Sequence, residues 1–234
     1  RTLNLIPITE PYTGATGFTH TGSGGGETTL ASIVGSGAPA SNDAIVDWVF
    51  VQVHDGTTGT VLSSRAALLQ RDGDVVDTDG TSSLNMAGNT AGNYYISIRH
   101  RNHLAVRSLN NIALAKTVTT SYNFTDNLAK AFAGAVSNNA MATLNTNIFG
   151  MWGGNANNDN IVKMTGLGAG NNDYLQLLNT LGSSTNSIPN TYSKQDLNMD
   201  GTVKMTGLGA SNNDYLKLIN ILGSSISTIS QPVF

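Results

Sequence analysis

Residues 162–184, VKMTGLGAGNNDYLQLLNTLGSS, recur at 203–225 as VKMTGLGASNNDYLKLINILGSS, an offset of 41 residues with four differences. Two segments this alike must fold alike, so the last third of the chain has to be built from two copies of one small unit. Carrying the alignment backwards pairs Asn155, Asn157 and Asp159 with Asp196, Asn198 and Asp200. The duplicated unit therefore covers 155–225 and includes the polar run before each valine.

Oxygen side chains at positions 1, 3 and 5 of a turn, followed by a backbone carbonyl at 7, are the arrangement that wraps hard ligands around one calcium ion. In the second copy these positions are Asp196, Asn198, Asp200 and Thr202. Gly201 at position 6 supplies the sharp turn, and Val203 points inward. In the first copy they are Asn155, Asn157, Asp159 and Ile161, with Asn160 in the glycine place, where asparagine tolerates a left-handed backbone. The first loop carries less negative charge, so the second is expected to bind calcium more tightly. Magnesium fits less well, because it keeps several waters and few protein ligands. Plain Asx turns followed by helix caps are the alternative reading of the same residues. The acids number 13 Asp against two Glu, and cysteine is absent, so disulfides, thiolate zinc sites and cysteine nucleophiles are excluded. Stability must come from packing or from hard cations.

Both loops resemble dockerin type I modules, which pair a duplicated calcium loop with a following helix. The resemblance covers 155–182 and 196–223. The bidentate acid that the family carries at position 12 would fall on Gly166 and Gly207, which have no side chain. The next acids, Asp173 and Asp214, stand before YLQLLNTL and YLKLINIL. The resemblance implies that MTGLGAG and MTGLGAS are looped insertions and that Asp173 and Asp214 swing back to complete each calcium shell. Each is also placed to cap its helix.

Upstream, residues 43–149 read mainly as strands. DAIVDWVFVQVHD is apolar on both faces, as in a central, doubly covered strand. GTVLSSRAALLQ, the alternating Tyr94, Ile96 and Ile98, and VTTSYNFT read as further strands, separated by Asp-Gly turns at 55–56, 72–73 and 79–80. One helix is expected within 126–145, with Leu128, Phe132, Ala135 and Val136 on a shared face. The expected fold is mainly β: a Gly/Thr-rich extension over 1–42, an antiparallel β-sandwich over 43–150, and the small duplicated calcium-loop and helix region over 151–234. The extension, with its TGATGFTHTGSGGGETT, has linker composition.

Six Lys, six Arg and a net charge of −3 leave no basic field for a phosphate backbone, so nucleic acid is not an expected partner. No apolar run approaches the ~20 residues that span a bilayer. Residues 1–20 lack the apolar stretch of a signal peptide, so the chain reads as soluble and already processed. HRNHLAVR, with His100 and His103, reads as a hairpin whose basic side chains pair with the acidic turn DGDVVDTDG at 72–80, although that turn is also a place for a third calcium ion. GxSxG, HExxH and P-loop motifs are missing, and an enzymatic role is not expected. Trp48 belongs to an apolar strand. Trp152, in FGMWGGN, is the residue placed to stack on a sugar.

Across 43–220, the strings DAIVDWVFVQVHD, LLQRDGDVVDTDG and YYISIRHRNHLAVRS, followed by the paired N-x-N-x-D and D-L-N-M-D-G repeats, look like a hemagglutinin-like or adhesin-like module of large secreted and surface proteins of Bacteroidetes. That resemblance implies a non-enzymatic extracellular role after removal of a targeting signal. A lone module of this kind gains reach by self-assembly, so a filament, tube or coat is expected, with LNLIPI or ISTISQPVF adding a strand to a neighbouring copy. The alternative is a monomeric adhesin that binds carbohydrate or a cohesin-like partner.

Overall fold

The computed structural model describes residues 5–35, 41–134 and 138–231. Strand outweighs helix, 31% to 13%, and every strand pair is antiparallel, so the fold is mainly β as expected. After the one-turn helix α1 (Ala31–Val34) come β1 (Ile45–Asp55), β2 (Val61–Gln70), β3 (Val75–Val76), β4 (Gly92–His100), β5 (His103–Arg107) and β6 (Ile112–Leu114). They form one six-stranded sheet in the order β3-β2-β1-β4-β5, with β6 also on β4. The strand β1 is central, and its β-branched and aromatic run is buried along nearly its whole length.

Register assigns the two faces. Trp48 pairs with Leu68 and Phe50 with Ala66, while Val49 pairs with Ala67 and Val51 with Ile98. The first face is covered by Ile6, Tyr12, Phe18 and Val34; the second carries Leu84, Met86, Ile96 and Ile98. Residues 5–35, expected as an extension, are thus a layer of the core. Among the described residues the layer opposing Trp48 and Phe50 is irregular chain, where a sandwich has a second sheet.

This docking is held by specific bonds. Tyr12 Oη donates to Trp48 O at 2.7 Å, Trp48 Nε1 to Pro7 O at 2.9 Å, and Ser64 N–H to Thr21 O at 2.9 Å. Glycine is what allows so close an approach: a Cβ on Gly24 would stand 1.8 Å from Ser64 O. Gly24→Ala must lift the segment off β2, at a cost of about 1–3 kcal/mol. The expected outcome is faster proteolytic cleavage within 5–35 and a lower melting temperature, read by a timed digest and calorimetry.

Among the described residues of 126–145 the expected α-helix does not form. A single 3-10 turn occupies Leu128–Lys130, Phe132 N–H donates to Arg107 O, and β7 (Ala142–Asn145) turns into β8 (Ile148–Gly150). Ala135 and Val136 lie outside the described residues. Leu128, Phe124, Ala131 and Met141 find their apolar partners on Val106 of β5, and a tertiary contact of this kind overrides a modest helical pattern. The stretch VTTSYNFT forms no strand beyond a single bridge at Val118.

The repeats supply β9 (Ile161–Lys163), α2 (Asp173–Leu181), β10 (Ser187–Pro189), β11 (Thr202–Lys204), α3 (Asp214–Leu222) and β12 (Thr228–Ser230). Pairing crosses between the copies: β9 takes β12, which follows the second helix, and β11 takes β10, which follows the first. The two units therefore interlock about one core, in which Val162, Leu177 and Leu181 meet their equivalents Val203, Leu218 and Leu222. Both helices end in left-handed glycines, Gly182 and Gly223. Leu104 of β5 enters the same core, and Asn102 Nδ2 donates to Asp196 O at 2.8 Å, joining the repeats to the sheet.

Candidate functional site

The two polar loops form as near copies. In the second, the Asp200 N–H donates to both Asp196 Oδ1 and Asn198 Oδ1 at 3.1 Å, so side-chain oxygens from positions 1 and 3 converge on one point. The N–H groups of Gly201 and Thr202 are taken by Asp196 Oδ2 at 2.9 Å and Asp200 Oδ1 at 2.8 Å. In the first loop the Asp159 N–H donates to Asn155 Oδ1 and Asn157 Oδ1 at 3.2 Å, and the Ile161 N–H to Asp159 Oδ1 at 2.9 Å. Gly201 and Asn160 both have positive φ, +85° and +66°. Position 4 does too, at Asn158 (+64°) and Met199 (+58°), a requirement the sequence of Met199 does not advertise. A left-handed methionine stores local strain of about 1–3 kcal/mol.

Asp173 and Asp214 do swing back onto the loops. Asp214 Oδ1 accepts from Leu197 N–H at 2.7 Å and Oδ2 from Lys204 N–H at 2.8 Å; Asp173 takes Ala156 N–H at 2.7 Å and Lys163 N–H at 2.9 Å. Both carboxyls are completely buried. Burial pushes Asp173 up to about 7, with the Asp159 charge adding to it and the N–H donors of Lys163 and Ala156 opposing it. Burial likewise lifts Asp214 to about 6, aided by Asp196, and raises Asp196 itself, beside Asp200. These are carboxylates for which the surroundings provide hydrogen bonds but too little positive charge. Lys204 Nζ, 3.6 Å from Asp200, Arg101 near Asp196 and Lys194 near Asp173 offset this in part.

Neither aspartate is the helix cap. That place belongs to Asn172 and Asn213, whose side-chain oxygens accept from Leu175 N–H and Leu216 N–H at 3.0 Å. Their amides also tie the insertion down, donating to Met164 O and Gly166 O in one copy and to Met205 O and Gly207 O in the other. The N-N-D signature held this information, since asparagine before an aspartate is as good a cap as the aspartate.

The other candidates lie elsewhere. In the acidic turn, Arg65 grips Asp77 with both guanidinium nitrogens, at 2.6 and 2.7 Å, while Asp79 accepts Thr81 and Ser82 N–H. The hairpin of His100 and His103 forms, but it pairs with Asp47 and not with that turn. Asp47 Oδ2 receives His100 Nε2 at 3.0 Å and Arg101 Nη2 at 3.2 Å, and Tyr192 Oη donates to Oδ1. Burial alone would raise Asp47; Arg101 and His100 hold it well below the usual carboxylate range. His103 faces His100 and Asn102, and burial pushes it well down. Both nitrogens of His100 are thereby engaged inside the molecule. Trp152 packs against the repeat core and donates Nε1 to Asn139 O at 2.8 Å.

Among the described residues, one group of three or more His, Cys, Asp or Glu brings its ligand atoms together: Glu10, His20 and Glu27, all within 4.8 Å. No local pattern points to it, because Glu10 and Glu27 are 17 positions apart in a stretch of linker composition. Compared with family models, curated proteins and solved structures, the chain matches none.

Proposed function

We propose that the chain is a non-enzymatic extracellular structural module whose interlocked C-terminal half is locked by two calcium ions, one in each loop. The ligands would be the side chains of Asn155, Asn157, Asp159 and Asp173 with the Ile161 carbonyl, and those of Asp196, Asn198, Asp200 and Asp214 with the Thr202 carbonyl. The observation that carries the reading is duplication at the level of single hydrogen bonds around buried carboxylates whose burial outweighs the positive charge near them. A protein without cysteine has no disulfide to stiffen such a region outside the cell, and a hard cation serves the same end.

Self-assembly into a filament, tube or coat would proceed by exchange of a terminal strand. Ile6 is already buried on the sheet, and Ile229 already pairs with Val162. A neighbour must therefore receive a strand that leaves its own chain, as in domain swapping. Export would follow removal of a targeting signal. No described helix is long and apolar enough to cross a membrane.

A second reading, a monomeric adhesin or cohesin-type binding module, is favoured by one feature. Leu167 and Leu208, equivalent residues in the two insertions, are each 92% exposed, twin apolar anchors without a function in the fold. Carbohydrate binding through Trp152 is less supported, because its indole N–H is already satisfied.

The test is to strip the protein of metal and add calcium. Saturation at about a hundred times Kd is expected to stabilise by about 2.7 kcal/mol per site and raise the melting temperature by about 5–10 °C for each. Size exclusion and negative stain, with and without chelator, separate polymers from a monomer. An unmoved melting temperature rejects the calcium reading.

A further inference from the structure

We infer that Glu10, His20 and Glu27 form a site for a divalent transition-metal ion of the zinc class, which pins residues 10–27 to one another where that stretch lies on the sheet. Their ligand atoms lie within 4.8 Å of one another. His20 Nε2 is 3.6 Å from Glu10 Oε1, too long for a hydrogen bond but near the ~3.4 Å that separates two ligands on one tetrahedral ion at ~2.1 Å. Both ring nitrogens of His20 and Oε2 of Glu27 are buried without a hydrogen-bond partner. The Glu27 side chain is only 9% exposed and that of Glu10 is fully buried. The Glu10 carboxylate is held by the Tyr12, Thr13 and Gly26 N–H groups and Arg65 Nε stands 3.9 Å from Glu27 Oε1, but the two buried nitrogens of His20 and Glu27 Oε2 are left unmet, and an ion between them would satisfy that oxygen and one of the nitrogens.

The frame is pre-organised. Glu10 and Glu27 face each other across the backbone bond from Glu10 N–H to Glu27 O at 2.9 Å, beside the Thr9–Thr28 bridge. The Gly26 N–H holds Glu10 Oε1 at 3.0 Å, and the Gly25 N–H holds Glu27 Oε1 at 3.0 Å. The His20 ring is pinned edge-on to Phe50, with centroids 4.9 Å apart. A cavity of about 280 Å³ bordered by Gly25, Gly26, Glu27, Ser63 and Arg65 adjoins Glu27 and offers the ion a path from solvent. The imidazole sets the class of ion, since calcium and magnesium take oxygen ligands and zinc accepts nitrogen with oxygen.

The experiment uses the full chain, stripped of metal and then held in excess calcium so that the loops are not in play. Zinc chloride is titrated by calorimetry, with melting followed in parallel. One zinc per chain and a rise of about 5–10 °C are expected. His20→Gln and Glu27→Gln should each weaken zinc binding by at least about tenfold while keeping the melting temperature of the zinc-free, calcium-loaded protein within a few degrees of the wild type. Absence of zinc heat, or zinc binding undiminished in both variants, overturns the site.

Discussion

Asp47→Ala is expected to cost about 3–5 kcal/mol, among the largest losses available from any single residue outside the apolar core. The reason is what the substitution leaves behind. Arg101 and His100 are both buried and both directed at the Asp47 carboxylate, and Tyr192 from the linker between the repeats donates to it as well. Removing the carboxylate strands a guanidinium in a site water does not reach, and the sheet and the repeats lose the group on which they both converge. At about 2–4 °C per kcal/mol for a chain of this size, the melting temperature should fall by about 6–20 °C. Adding Arg101→Met to Asp47→Ala should recover a large part of that loss, because the stranded charge is gone; a double mutant as unstable as the single one would assign the cost to lost packing.

The same region gives the acid limb of stability its shape. His54 is pushed down to about 4 by burial, and His103 is pushed well down by burial and by the neighbouring His100 and Arg101. Both take up protons more readily when unfolded, near the ordinary histidine value of ~6.5. The stability these two histidines contribute is therefore complete above that value and is lost as pH falls from about 6.5 towards 4, whereas in the metal-free protein Asp173 and Asp214, raised to about 7 and about 6, contribute in the opposite sense and lose their share as pH rises through those values. Asp47, held low, adds its own loss only below the ordinary carboxylate range.

What was legible in the sequence follows the range of the interactions involved. The duplicated loops and helices are local, and both the positive-φ position 6 and the return of Asp173 and Asp214 were readable from spacing and resemblance. The strand β1 was readable because Trp48, Val49, Phe50 and Val51 put β-branched and aromatic residues on both faces. Residues 5–35 were not, since Ile6, Tyr12 and Phe18 stand singly in polar, Gly-rich chain and gain their place only through Trp48 and Phe50, thirty or more positions away. The partner of His100 was misassigned for the same reason. A charged turn nearer in sequence looked adequate, but the register of β1 on β4, which places Phe50 opposite Arg99, is what carries His100 and Arg101 over Asp47. Helix 126–145 was lost to contacts with β5 that no local pattern reveals.

Asp200→Asn and Asp159→Asn should not be equivalent, and their difference tests the calcium reading at its finest point. Loop two offers carboxylates at Asp196, Asp200 and Asp214, whereas loop one offers Asp159 and Asp173 with Asn155 in first place. Calcium affinity follows ligand charge, so the wild type should titrate in two steps, with the tighter belonging to loop two, even though Lys204 stands 3.6 Å from Asp200 and offsets part of its advantage. Asp200→Asn leaves loop two with two carboxylates and brings it level with loop one, merging the steps. Asp159→Asn leaves loop one with Asp173 as its sole charge and drives the steps further apart. Because β9 pairs with β12 and β11 with β10, each loop braces a strand held by the opposite copy. Filling either site should then stiffen both units, and hydrogen exchange at Val162 and Val203 is expected to slow together at the first equivalent of calcium. Protection confined to Val203 at that point would mean that the units are stabilised independently, and a single unaltered step in both variants would remove these residues from the metal.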